Sequence, residues 1–263
     1  MNDTRYLGFQ KACVSITERS ISDFKTNGFI KGIVENVSYN YGILYLNNIL
    51  KYNVNIDWDL IKTINNIGNP ENFLYNINGS SHLLSPTTLR YLQFTLDMLT
   101  HISSQGLKNI NVYEVGGGYG SQSLFLALLS PLFNITVLSY TIVDLKEINN
   151  LQKHYLNKAA TVLNTDVTNN IKLIDPSILN SLQIEKKEEN YFISNYALGE
   201  LHKQWQDYYV SRLVSKCPHG YICWNFSVGN KKIHEYFTSV STVITEENPQ
   251  TNCPPVKSYN VTF

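Results

Sequence analysis

From about residue 106 onward, short β-branched or aromatic runs alternate with stretches of helical spacing, the pattern of a parallel sheet joined by crossover helices. The pattern predicts strands over 111–115 (NVYEV), 135–144 (ITVLSYTIVD), 161–165 (TVLNT), 190–195 (NYFISN) and 220–226 (GYICWNF). Helices are predicted between them over about 120–130, 147–158 and 201–216, with a weaker one within 169–182. Two last runs, 239–247 and 256–263, flank NPQTNCPP, whose prolines exclude a helix and suit a loop between antiparallel partners. Five parallel strands and a terminal pair make a sheet of seven.

The first 105 residues read differently. Apolar positions recur at helical spacing in YGILYLNNIL (41–50) and TTLRYLQFTLDMLTHI (87–102), with the polar, turn-rich IGNPENFLYNINGSSHLLSP (67–86) between them. The division expected is a helical, substrate-covering extension over 1–105 packed on a sheet domain over 106–263.

A chain of 263 residues with 43% hydrophobic side chains is long enough to bury a full core. Lys+Arg and Asp+Glu are both 21, so there is no basic excess to hold a phosphate backbone, and a nucleic-acid partner is not expected. The longest apolar stretch, LFLALLSPLF at 124–133, is too short to span a bilayer and is broken by Pro131. The start of the chain lacks a signal-like apolar core, so the expectation is a soluble cytoplasmic protein with no membrane partner. Without such a segment, the N-x-S/T triplets at Asn36, Asn78, Asn134, Asn225 and Asn260 carry little weight. Cys13, Cys217, Cys223 and Cys253 are scattered with no C-x-x-C pair, and read as buried thiols in a reducing compartment.

The chemistry concentrates in NVYEVGGGYGSQSLFLALL (111–129), where a strand runs through Gly116, Gly117, Gly118 and Gly120 into a helix. Missing Cβ atoms there let a ligand approach the backbone closely. A dinucleotide fingerprint would place its third glycine at 121, which is Ser, and Glu114 stands just before the first glycine. A carboxylate about 6 Å from a phosphate, at an effective dielectric near 20, costs roughly 3 kcal/mol per charge pair. A cationic nucleoside without phosphate, such as S-adenosylmethionine, meets no such penalty. Asp144, at the end of the second strand, is placed to accept ribose hydroxyls, and Asp166, after the third, to accept the adenine amino group or to cap the following segment.

The order of these motifs resembles class I S-adenosylmethionine-dependent methyltransferases, with EVGGGYG as their first motif, VDL as the ribose-binding acid and TDV at the adenine side. IGNP (67–70), SPTTLRYL (85–92), YTIVDLKEINNLQKHYL (140–156), FISNYALGEL (192–201) and GYICWNF (220–226) together are similar to a family described as sugar O-methyltransferases. The expected fold class is thus α/β: a Rossmann-like seven-stranded methyltransferase sheet, mostly parallel with an antiparallel last strand, behind an N-terminal helical extension. The resemblance implies a sugar or sugar-nucleotide hydroxyl as methyl acceptor.

Such a hydroxyl is a poor nucleophile and calls for a general base. SNYALGELHKQW, after the fourth strand, offers Asn195 for the cofactor, then Glu200 and His202 as base candidates; a carboxylate suited to a helix start and a solvated histidine are the alternatives. His82 and Arg90, from the extension, are candidates for substrate or cofactor contact, with a surface ion pair the alternative for Arg90. Beyond Asp144 and Asp166 there is no compact acidic set, so no metal is expected. The competing classes are an NAD-dependent oxidoreductase or epimerase and a non-catalytic binding module on the same fold. The first lacks a Y-x-x-x-K motif where a short-chain enzyme carries it; methylation of a base amine would bring a D/N-P-P-Y/F motif in place of SNYA.

Overall fold

A computed structural model describes residues 4–166, 168–225, 235–237, 242–251 and 257–263. The chain opens with helices α1 (Thr4–Arg19), α2 (Gly28–Ile33), α3 (Tyr39–Ile49) and α4 (Trp58–Asn65), followed by strands β1 (Phe73–Ile77) and β2 (Ser80–Leu84) and the long α5 (Pro86–Ser104). Then come β3 (Asn109–Val115), α6 (Ser121–Leu129), β4 (Thr136–Val143), α7 (Lys146–Leu163), β5 (Ile171–Ile174), β6 (Asn190–Asn195), α8 (Ala197–Glu200), α9 (Lys203–Arg212) and β7 (His219–Trp224). Strands β8 (Val243–Glu246) and β9 (Tyr259–Thr262) close the chain.

Seven strands form one sheet in the order β5-β4-β3-β6-β7-β9-β8, with β9 antiparallel to both neighbours. This is the Rossmann-like, mostly parallel sheet read from the sequence. Because the chain runs outward from β3 to β4 and β5 and then returns past it to β6, the sheet reverses its winding there, and the carboxyl ends of β3, β4 and β6 border the crevice where such sheets take ligands.

Alternate residues of the central strands feed two cores. Val112, Ile142, Tyr191 and Ile193 join a core that continues into α1, α3, α4 and α5 through Phe9, Tyr45, Ile61 and Leu92. Val143, Phe192, Ile222 and Trp224 face a second core closed by Tyr209, Leu213 and Phe263. Parallel strands buried on both faces read as apolar runs, which is why β6 and β7 were legible. Helix starts follow from their caps: Asp57 accepts from Asp59 and Leu60 amides to open α4, and Ser85 accepts from Thr87 with Pro86 at the first position of α5.

Three expectations are corrected. The run 161–165 is not a strand, because the apolar face of α7 (Ile148, Leu151, Tyr155, Leu156, Ala159) carries the helix on to Leu163. Left-handed Asn164 then stops it, so tertiary packing overrides the β propensity of Thr161 and Val162. The weak helix over 169–182 is instead the four-residue strand β5, with its IKLI alternation, followed by a helical turn over Pro176–Ser181 capped by Asp175. The connection 67–86 holds a hairpin: Asn78 and Gly79 both take positive φ (51° and 85°), the two-residue turn that Asn-Gly favours.

Cys13, Cys217 and Cys223 are buried free thiols. Cys253, Phe226, Val256, residues 239–241 of the penultimate run and Val167 of TDV lie outside the described residues. No helix among the described residues is long and apolar enough to cross a membrane.

Candidate cofactor and active site

The glycine turn sits at the carboxyl end of β3, and its geometry requires glycine. Gly116 has φ +78°, and a Cβ there would stand 2.2 Å from the Cβ of Ala197 at the start of α8. A Cβ on Gly117 would meet Ile142 Cγ2 at 2.5 Å. The loop is held by backbone and acid together: Gly116 N–H donates to Val143 O at 3.1 Å, and Gly117 N–H donates to Asp144 Oδ2 at 3.0 Å.

Asp144 accepts from Leu145 N–H (2.9 Å) and Gln152 Nε2 (3.1 Å) as well. These three bonds leave about one of the four lone-pair sites of a carboxylate for a ligand. Gln152 also donates to Gly118 O at 2.9 Å, while its Oε1, the Oδ1 of Asn149 on the same helix and the Oδ1 of Asn195 are buried without partners. Asn195 closes β6 and reaches back to Gln122 at 3.3 Å. The groups around the glycine turn therefore present amide oxygens and carboxyls, an acceptor set suited to a ligand rich in N–H and O–H groups.

Glu114 is almost fully buried and accepts from the Tyr140 hydroxyl at 2.9 Å. Burial pushes its carboxyl up to about 8; the Tyr140 bond opposes the shift and the charge of Asp144 adds to it. Burial likewise raises Asp144 to about 7 against its hydrogen bonds. At neutral pH Glu114 is mostly protonated and Asp144 divides between its two forms, and a cation at this spot would draw out the charge of both.

The extension clasps the turn. Tyr119, the non-glycine residue within it, is fully buried and donates to Glu35 Oε1 at 2.6 Å, and Ser85 donates to Glu35 Oε2 at 3.0 Å. Lys25, also buried, donates to Asn65 O at 3.2 Å and lies 4.9 Å from the centre of the Tyr119 ring. Arg90 is buried, not at the surface as an exposed ion pair would require. Its Nη2 donates to Val34 O at 2.8 Å and its Nη1 to Asn36 Oδ1 at 3.1 Å.

After β6, Tyr196 takes φ +66° and ψ −31°, a strained conformation for a residue with a side chain. Its hydroxyl donates to Glu247 and its ring faces the Arg90 guanidinium at 5.5 Å. Glu200 ends the single turn of α8, half-buried, and accepts from Asn225 Nδ2 at 2.7 Å, where β7 ends.

Not every predicted residue converges here. Asp166 lies before β5, beside Asn134, Thr136 and Asn170 at the amino-terminal edge of the sheet, the edge opposite the glycine turn. The misread helix end put it on the wrong side, and Asp175, directly after β5, holds the position meant for it. His202 is exposed at the start of α9. His82 sits on the hairpin, opposite Tyr75, with its ring 6.0 Å from Trp58. Sequence reading missed Gln152 and Asn149, although polar residues on the apolar face of α7 were a usable signal, and it missed Tyr119, Glu35 and Tyr196.

No protein-family model matches the chain, and no curated protein matches it in sequence. Among solved structures, it is similar to the methyltransferase domain of a bacterial Hen1 protein (10% identity, 64% of this chain, 96% of that one, TM-score 0.43). It is also similar to the methyltransferase domain of METTL16 (13% identity, 68% of this chain, 67% of that one, TM-score 0.43). A third is a Burkholderia thailandensis protein solved bound to S-adenosyl-homocysteine (18% identity, 43% of this chain, TM-score 0.33), of whose length the match spans 26%.

Proposed function

We propose that this protein is an S-adenosylmethionine-dependent O-methyltransferase acting on a hydroxyl of a sugar or sugar nucleotide. The observation that carries the cofactor reading is the pair of carboxyls, buried Glu114 and half-buried Asp144, beside the bare peptides of Gly116, Gly117 and Gly118. A pyrophosphate there would meet acceptors and acids with no cationic side chain on the turn. A sulfonium and ammonium would be stabilised by both acids, and the ribose hydroxyls would donate to Asp144.

In this reading, Asp175 stands at the adenine side in place of Asp166, and Asn195 borders the methionine end with its unpartnered Oδ1. The donor supplies an electrophilic methyl group whose bond to sulfur breaks as the bond to the acceptor oxygen forms. Glu200 is the base that takes the hydroxyl proton: it is half-buried, one turn beyond the Gly116–Ala197 contact, with Asn225 holding one oxygen. His202, exposed outside this pocket, is set aside as a base. The helical extension over 1–105 covers the acceptor, with Arg90 and the hairpin bearing His82 as its contributions. The zero net charge supports a small acceptor over a nucleic acid.

The test is a panel of nucleotide sugars and free sugars incubated with protein and donor and read by mass. A gain of one methylene mass, confined to members with a free hydroxyl at one position, is the expected result. Methylation of RNA or of amines with no sugar product would replace the acceptor assignment.

A further inference from the structure

We infer that Arg90 is the seat of a ligand carboxylate. The inference rests on the methyltransferase reading only for the place of the donor. A guanidinium has five N–H donors, and two hydrogen bonds engage this one, both to neutral oxygens, Val34 O and Asn36 Oδ1. The residue is 8% exposed. Among the described residues, no carboxylate lies within ion-pair reach of it. Glu35 acts on its charge only from beyond ion-pair distance, with its own oxygens engaged by Tyr119 and Ser85, so a ligand carboxylate would complete a direct pair with a cation that burial has stripped of water.

The surroundings specify the ligand's charge and place. The rings of Tyr196 and Tyr91 lie 5.5 Å and 5.9 Å from the guanidinium, within range of a cation–π contact. Tyr91 and Val34 in turn border the glycine turn: a Cβ on Gly118 would lie 3.1 Å from Tyr91 Oη and 3.5 Å from Val34 Cγ1. Arg90 thus stands between the glycine turn and the end of β6, over the crevice. Glu35 and Glu247 complete the neighbourhood through Tyr119 and Tyr196, so a single negative charge suits the spot better than a phosphate dianion. The carboxylate comes either from the amino-acid end of the methyl donor or from an acidic acceptor.

Calorimetric titration separates these sources. In the first arm, S-adenosylmethionine and its decarboxylated analogue are titrated into the wild-type chain and into Arg90→Lys and Arg90→Met. In the second, glucuronate and glucose are titrated into the same proteins with and without donor. We expect the carboxylate-bearing member of one arm to bind at least tenfold tighter to the wild type, with the preference lost in Arg90→Met and reduced in Arg90→Lys. The first arm assigns the seat to the donor and the second to the acceptor. Because the wild-type comparison changes only the ligand, it holds even if a variant folds poorly. No preference in either arm overturns the seat. Failure of both nucleosides to bind overturns the methyl-donor reading instead, and the second arm, run without donor, then decides the seat alone.

Discussion

Tyr140 on β4 donates its hydroxyl to the buried Glu114 carboxyl on neighbouring β3 at 2.9 Å, directly beneath the glycine turn. The bond satisfies one oxygen of an acid in an apolar core, and the burial it only partly offsets makes the ligand-free protein sensitive to pH.

Glu114 is raised from 4.5 to about 8 and Asp144 from 3.8 to about 7, chiefly by burial. The folded state therefore keeps protons that the unfolded chain has released. The stability they contribute is complete below pH 4 and is lost as pH rises through 7 to 8. Half-buried His101, pushed from 6.5 down to about 4, opposes this only weakly, because its unfolded form is already half deprotonated at pH 6.5 and fully so by 8.5. Over that window the melting temperature of the ligand-free protein should fall, by roughly 5 °C for a loss of about 2 kcal/mol. Glu114→Gln should flatten the slope, and a wild-type slope equal to that of the variant would remove Glu114 from the account.

The Tyr119–Glu35 bond ties the glycine turn to the extension. Tyr119→Phe removes a hydrogen bond to a carboxylate, worth about 1.5 to 3 kcal/mol, and keeps the ring packed among Phe24, Tyr91 and Tyr155. The variant should fold, melt lower and bind donor several-fold more weakly. Unchanged donor affinity would show that the clasp serves stability alone.

Asp175 and Asp166 stand at opposite edges of the sheet. Asp175→Ala should weaken donor binding by about tenfold, the loss of one charge-assisted hydrogen bond. Asp166→Ala should leave it unchanged. The reverse order of effects would restore the reading of TDV as the adenine-side motif.

Glu200→Gln keeps the bond geometry to Asn225 but cannot take a proton. Turnover should fall by roughly 10² to 10⁴, with donor affinity unaltered. His202→Ala should retain wild-type turnover, and a normal rate for Glu200→Gln would end its assignment as base.

The central strands and the glycine turn were legible because burial on both faces and the strand-to-helix glycine run leave marks that no surface context disturbs. The third strand was not. Thr161, Val162 and Leu163 carry β propensity but lie on a helix whose length is fixed by Leu151, Tyr155 and Ala159 packing on the core. That one shift displaced Asp166 to the wrong edge. The Asn-Gly turn of the hairpin was readable and was passed over as polar connection. Tyr119 and Glu35 meet only through a tertiary contact between the extension and the glycine turn, so their spacing along the chain carries no trace of it.

The central claim is that the acid pair at the glycine turn receives a cationic nucleoside. It is tested most directly by calorimetric titration of S-adenosylmethionine and of NADH at pH 6.5 and 8.5, in two buffers of different ionisation enthalpy. S-adenosylmethionine should bind at both pH values, release protons at pH 6.5 and bind up to roughly tenfold tighter per pH unit for each proton released, while NADH should not bind. Tight NADH binding with none of S-adenosylmethionine, or donor binding without proton release and independent of pH, would contradict the account.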